Sequence, residues 1–291
     1  MPVRLGQIDY LNCLPVYYPI EAGKVSLDVE MTRGVPAVLN GLFLEGRLDI
    51  TPLSSIEYAR HPEKCVILPD MSISSDGRVG SILLFSRVPV AELDGKKVCL
   101  PDSSATSVVL LKILCEHHYR IEPVFETTPP DLDLMLGRAD AALLIGDEAL
   151  AAHVRVLSEG RALLVTDLGQ AWKEFTGEKM VFALWVIRRD FALAHPERTD
   201  EIGRALRTAK AISTANRNDL VDEACRRRRL PRAFLEDYFD LIRHDFDPSY
   251  RRALLLFYDY AFRSGLIAGP VELAVWGEES DGTRRGAGPR G

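Results

Sequence analysis

Residues Lys97 to His117 read KVCLPDSSATSVVLLKILCEH, and the fold is decided there. Val98, Cys99 and Leu100 make a short apolar run closed by Pro101, and from Ser103 a hydroxyl-rich turn opens an apolar segment of about three turns. The order is strand, polar turn, helix, which is the unit of an α/β chain. The first backbone N–H groups of a helix lack intrahelical acceptors and carry part of a positive charge. Together with the hydroxyls of Ser103, Ser104, Thr106 and Ser107 they can hold an anion without help from Lys or Arg. Asp102, Ser103 or Ser104 would equally serve as a plain cap on a buried helix, so this stretch alone leaves both readings open.

Composition limits the kind of ligand. The chain has 291 residues, 47% hydrophobic and 27% charged, enough for one large core or two modest ones, and two lobes are expected. Lys plus Arg number 36 against 42 Asp plus Glu, a net charge of -6, so no general basic field is present to hold nucleic acid or an anionic membrane. An anion must be bound by local geometry. Five cysteines, at 13, 65, 99, 115 and 225, are odd in number and mostly sit in apolar runs, which fits reduced core thiols. The opening MPVRLGQIDYLNCLP lacks an apolar run of signal-peptide length, and no segment approaches the ~20 residues of a membrane span. The expectation is a cytosolic protein.

Outward from the central stretch, Val3 to Ile8 alternates as a strand and ends in a polar turn, Asp9 to Pro15. Open α/β sheets place ligands at the carboxyl edge of their strands, so Asn12 becomes a site candidate, with local bonding to its own turn as the other reading. Val25 to Met31 reads as a strand, and Pro36 starts a helix that stops at Gly46. From Gly46 the chain runs GRLDITPLSSIEYA and from Gly137 GRADAALLIGDEAL. The two align without a gap, sharing Gly-Arg-x-Asp, a Leu (Leu53, Leu144) and a Glu (Glu57, Glu148). This internal repeat predicts two lobes of like topology with helix openings facing each other. Ser54 and Ser55 then fall where Ile145 and Gly146 stand in the second copy.

Gly80 to Arg87 and Met180 to Ile187 are strands near-continuous in apolar residues, and they bracket a central segment that reads as a lobe inserted into another. The expected division is lobe 1 at 1–88 plus 188–277, lobe 2 at 89–187, and a Gly- and Arg-rich disordered tail at 278–291. Ser81 would lie on the floor of the cleft between the lobes. Four helices are expected after Arg189. The run Arg226 to Arg229 reads as a solvated helix end, where cations offset the dipole. No HExxH, GxGxxG after a strand, GxxxxGKS or GxSxG occurs, and the six histidines are not at metal-ligand spacing. No metal or nucleotide cofactor is expected. His117 and His118 lie roughly 20 Å along their helix from the hydroxyl cradle at 1.5 Å per residue.

The stretches IDYLNCLPVYY (Ile8 to Tyr18), PLSSIEYARHP (Pro52 to Pro62), ISSDGRVGSILLFSRVP (Ile73 to Pro89) and SATSVVLLKIL (Ser104 to Leu114) together closely resemble the chorismate dehydratase family of the futalosine route to menaquinone. The resemblance covers nearly the whole chain except the tail. It implies the two-lobed fold of periplasmic type II binding proteins, with a ligand cleft between the lobes. It also implies a cofactor-free lyase reaction that removes water from chorismate to give 3-[(1-carboxyvinyl)oxy]benzoate. By resemblance, Asn12 and Ser81 are the catalytic contacts, and Ser54, Ser55, Ser103, Ser104, Thr106 and Ser107 bind the substrate carboxylates. The repeat adds Gly146 and Asp147, and the turn before the return strand adds Thr176. No nucleic-acid or membrane partner is implied. The sister enzyme 1,4-dihydroxy-6-naphthoate synthase and a non-catalytic solute-binding protein are the alternatives. For the base, the substrate's own enolpyruvyl carboxylate is set against Glu57 and Asp147.

Overall fold

Runs with β-branched and aliphatic residues at successive positions form the strands, and the computed structural model, which describes residues 2–278, sorts them into two sheets. Val3–Ile8 (β1), Val29–Gly34 (β2), Ile50–Ser54 (β3) and Cys65–Ser75 (β4) belong to the first. Ile82–Ser86 (β5), Lys97–Pro101 (β6), Val124–Thr128 (β7), Ala141–Ile145 (β8) and Leu164–Asp167 (β9) make the second, and Met180–Arg188 (β10) returns to the first. Leu14–Glu21 (α1), Pro36–Leu44 (α2) and Ser55–Arg60 (α3) connect the first sheet, and Thr106–Ile113 (α4), Leu132–Leu136 (α5), Gly146–Ser158 (α6) and Leu168–Thr176 (α7) the second. Arg189–Ala194 (α8), Pro196–Ala215 (α9), Arg217–Arg227 (α10), Arg232–Leu241 (α11) and Pro248–Arg263 (α12) follow.

The strand orders are β2-β1-β3-β10-β4 and β7-β6-β8-β5-β9. In each sheet three strands run parallel, and the strand arriving from the other lobe pairs antiparallel with the central one. The two sheets are therefore topological equivalents, and the repeated sequence is their centre: β3 with α3, and β8 with α6. Leu53 pairs with Leu184 and Leu144 with Leu83, so the shared leucine holds the same place in both. Both central strands are buried at every position.

Sheet membership moves the expected lobe boundary. A division after 88 and after 187 would leave β5 in the first lobe and β10 in the second. The pairing is the reverse, with crossings in the connections 76–81 and 177–179. The reason is that an apolar run reports burial on both faces, not which sheet supplies the neighbours. Trp172 of α7 packs edge-on against Phe257 at 5.9 Å and Tyr260 at 5.7 Å, so α12 grips both lobes. The helix begun at Thr106 ends in a π turn over Leu114–Tyr119, where His117 Nε2 lies 2.9 Å from Ser264 Oγ, away from the hydroxyl cradle. The expected tail lies outside the described residues apart from Glu278, whose carboxylate takes Arg251 at 2.7 Å.

Candidate active site

Between the carboxyl edges of the two sheets is a partly enclosed cavity, about 540 Å³ when the space open to solvent at its mouth is counted. Ile8, Ile73, Val79, Ile82, Ile145 and Phe182 supply apolar wall, while Tyr10, Asn12, Ser54, Ser81, Ser104, Thr106 and Ser107 bring polar groups and Gly146 bare backbone. Larger hollows of about 980 and 1430 Å³, open solvent included, lie elsewhere, around Arg188 and Arg4 at the opposite edge of the first sheet, and contain none of the candidate site residues.

Each polar group is placed by its element. The chain leaves β1, makes a short 3₁₀ turn over Leu11–Cys13, and so puts Asn12 at the sheet edge. The Asn12 carbonyl is 2.6 Å from His244 Nε2, and its side-chain Oδ1 is buried with no protein partner. Burial pushes the His244 ring down to about 4, so the imidazole is neutral at pH 7 and Nε2 donates to that carbonyl. Ser81 stands just before β5 with its carbonyl accepting the Gly146 N–H at 2.7 Å, and its Oγ faces the Tyr238 hydroxyl at 3.3 Å. Ser54 closes β3 and is bound on both sides by Asn40, whose Nδ2 donates to Ser54 Oγ at 3.0 Å and whose Oδ1 accepts the Ser54 N–H at 3.3 Å. With that lone pair used, the serine's own hydrogen is free for a ligand.

The two helix openings meet. Thr106 Oγ1, at the start of α4, accepts the Ile56 N–H of α3 at 3.2 Å and lies 3.4 Å from Ser55 Oγ. Ser104 and Ser107 flank Thr106 on the cavity wall. Among the described residues, no side chain lining this cavity is an Asp, Glu, His, Lys or Arg. The charge that would meet an anion comes from aligned backbone dipoles and hydroxyl donors, in surroundings of low dielectric.

Seven of the eleven residues singled out thus line one cavity, and four do not. Ser55 Oγ donates to Val181 O at 2.8 Å and serves the joint between α3 and β10. Ser103 Oγ is buried with no protein partner and is not among the lining residues. Thr176 caps its own helix, donating to Trp172 O at 2.8 Å and accepting the Glu178 N–H at 3.1 Å. Asp147 turns away from the cavity, with Oδ1 on the Leu11 N–H at 2.9 Å and Oδ2 on Arg228 Nε at 2.6 Å. Glu57 is paired with Arg60 at 2.7 Å and is equally absent from the lining. Neither protein alternative for the base faces the site. The gapless alignment of the repeat carries position but not the direction of a side chain, and the Asp147 side chain points into the seam between the lobes.

Sequence reasoning missed Tyr10, Asn40, Tyr238, His244 and Arg228. Tyr10 sits inside the motif that supplied Asn12, and its place in the turn that ends the first strand was the available signal. Tyr238 and His244 arrive from the last third of the chain, and no local pattern marks them. The arginine run is only partly solvated: Arg227 pairs with Glu21 and with Glu223 at 2.5 and 2.7 Å, and Arg228 reaches Asp147.

Comparison with known proteins agrees with this geometry. A family model described as menaquinone biosynthesis matches residues 3–263. Chorismate dehydratase from Thermus thermophilus is 30% identical over 267 residues, 88% of this chain and 94% of that protein. The 1,4-dihydroxy-6-naphtoate synthase of the same organism is 28% identical over 70% of this chain and 79% of that protein. Among solved structures, protein AF1704 from Archaeoglobus fulgidus superposes with a TM-score of 0.75 at 23% identity, covering 91% of this chain and 98% of that one. The periplasmic aliphatic sulphonate binding protein SsuA from Escherichia coli gives 0.65 at 14% identity, covering 94% and 97%. The chain belongs to the menaquinone-biosynthesis family, is a relative of chorismate dehydratase, and has the two-lobed periplasmic binding-protein fold with its cleft at the hydroxyl-lined cavity.

Proposed function

We propose that this protein is a carbon–oxygen lyase that dehydrates chorismate to 3-[(1-carboxyvinyl)oxy]benzoate on the futalosine route, in the cytosol. The observation that carries the reading is the cavity itself: hydroxyl and backbone donors from both lobes surround a space lined by no carboxylate, imidazole, ammonium or guanidinium. Such a lining suits a small dianion that brings its own base. The larger share of the chain matched by chorismate dehydratase, 88% against 70% for the naphtoate synthase, favours the dehydration over the later step. The five unpaired cysteines support a reducing compartment.

The reaction breaks the C–H bond at the ring carbon bearing the enolpyruvyl ether and the C–O bond at the neighbouring hydroxyl-bearing carbon. The electron pair becomes the third ring double bond, and water leaves. The proton goes first to the substrate's enolpyruvyl carboxylate, since neither Glu57 nor Asp147 faces the cavity, and passes from there to the departing hydroxide, which leaves as water. Negative charge spreads through the ring double bond toward the ring carboxylate as the proton departs. Donors at Ser54, Ser104, Thr106 and Ser107 stabilise that charge, strengthening as it grows. Ser81, its lone pair occupied by Tyr238, offers its hydrogen to the departing hydroxyl, and Asn12 orients the reacting edge. Aromatisation drives the second half, so positioning is most of what the protein supplies.

Incubating the purified protein with chorismate and following ultraviolet absorbance tests the reading. Growth of an aromatic product spectrum is expected. Binding without spectral change would assign a solute-binding role, and indifference to chorismate would favour the naphthoate synthase.

A further inference from the structure

The second lobe reaches into the first at Asp147, the second residue of α6. Only 7% of its surface is exposed, and both carboxylate oxygens are taken by first-lobe groups, the Leu11 N–H at 2.9 Å and Arg228 Nε at 2.6 Å. Leu11 immediately precedes Asn12. The same Arg228 donates through a terminal nitrogen to the Asp9 carbonyl at 2.8 Å, at the near end of that turn. One residue before Asp147, Gly146 has a φ of +58°, and a Cβ there would come within 2.5 Å of the Tyr10 ring. The segment from Asp9 to Asn12 is thus held against the opening of α6 by a ring contact, an N–H bond and a guanidinium that spans both.

Three roles open to a buried acid beside a cleft can be compared on this geometry. A substrate-binding role needs a free polar atom in the cavity, and Asp147 has none there. A base needs an accessible lone pair, yet both oxygens are engaged. A local helix cap would bond the N–H groups of its own first turn, whereas these oxygens point to the other lobe. What remains is a bond that exists only while the lobes are together.

We propose that Asp147 is a positioning residue: lobe closure brings its carboxylate onto the Leu11 N–H, and this bond sets the rotation of the turn and the place of the Asn12 amide. Arg228 is the counter-ion that lets a carboxylate sit in the seam. The role rests on the reading of Asn12 as a contact of the dehydration.

The full chain would be compared with Asp147→Ala, Asp147→Asn and Arg228→Gln, by kcat and KM on chorismate and by amide hydrogen exchange without substrate. Asp147→Ala should lower kcat about 30-fold or more and leave KM within about threefold, as expected when misplacement rather than lost binding is at fault. Leu11 exchange should quicken about tenfold or more while amides of β1 and β3 keep their protection. Asp147→Asn, which retains an acceptor of the same shape, should fall between wild type and alanine in both readouts, and this guards against simple misfolding. Unchanged exchange at Leu11, or faster exchange with kcat within about threefold of wild type, overturns the proposal. A rise in KM matching the whole loss of kcat/KM would make Asp147 a substrate binder and overturn it too. Wild-type protein that leaves chorismate untouched removes the dehydration reading, whereas unchanged Leu11 exchange in Asp147→Ala removes the positioning role, so the two failures are read from separate measurements.

Discussion

The Tyr238 hydroxyl lies 3.3 Å from Ser81 Oγ, and both residues are sealed from solvent. Burial raises the phenol far above its ordinary pKa, so Tyr238 stays protonated and donates. Ser81 is thereby left with a hydrogen to give. Tyr238→Phe removes the donor and lets the serine hydroxyl turn toward other acceptors. A neutral hydrogen bond of this kind contributes about 0.5–1.5 kcal/mol, so kcat on chorismate should fall about three- to tenfold. KM should hold. Steady-state kinetics check this, and an unchanged kcat would mean that Ser81 is oriented by something else.

Gly146 occupies the left-handed region where a side chain costs about 1–2 kcal/mol. A Cβ would also lie 2.5 Å from Tyr10 Cε2. Gly146→Ala should therefore lower unfolding stability by roughly 2 kcal/mol and cut turnover at least about tenfold, since ring and helix can no longer meet. Adding Tyr10→Ala would relieve the contact but not the backbone strain. Denaturant titration of the single and double variants separates the two. Full stability in Gly146→Ala would show that the seam yields more easily than this packing implies.

The two shifted groups on either side of the Asn12 turn titrate with opposite sign. Burial lowers His244 from 6.5 to about 4, so its contribution to stability is present above 6.5 and lost as pH falls through 4. Burial raises Asp147 from 3.8 to about 6 against the pull of the Leu11 N–H and Arg228. Its contribution is present below 3.8 and lost as pH rises through 6. Each amounts to roughly 3 kcal/mol across its window by the linkage relation. Urea unfolding between pH 4 and 7 is the measurement. The stability difference between wild type and His244→Gln should grow with pH, and that between wild type and Asp147→Asn should shrink. Slopes of the same sign would refute the burial argument for one of them.

Glu57 belongs to the first copy of the repeat, but its carboxylate faces Arg60 at 2.7 Å rather than the cavity. A partly exposed pair of this kind is worth about 0–1 kcal/mol. Glu57→Gln should leave kcat within about twofold and stability within that margin. A loss of turnover by orders of magnitude would return the base role to this residue and end the substrate-assisted scheme.

Most of the polar lining of the candidate site was legible because local signals mark it. A strand that ends in hydroxyls and reopens as a helix announces its own edge, and this placed Ser54, Ser104, Thr106 and Ser107 on the cavity wall. Asn12 and Ser81 were found the same way, at the end and the start of apolar runs. Ser55 and Thr176 carry identical signals and yet bond to backbone, because a hydroxyl does not declare which acceptor is nearest.

By itself the sequence determined the strands and helices around the candidate site, the repeated strand-and-helix unit at the heart of each lobe, and the hydroxyl character of the openings. All of these follow from periodicity and turn chemistry over a few residues. Only the tertiary structure decided that β5 and β10 exchange sheets, that Tyr238 bonds to Ser81 and His244 to Asn12, and that the Asp147 carboxylate takes the Leu11 N–H. Those relationships join positions far apart in the chain, and their partners are selected by packing of whole sheets, which no short stretch encodes.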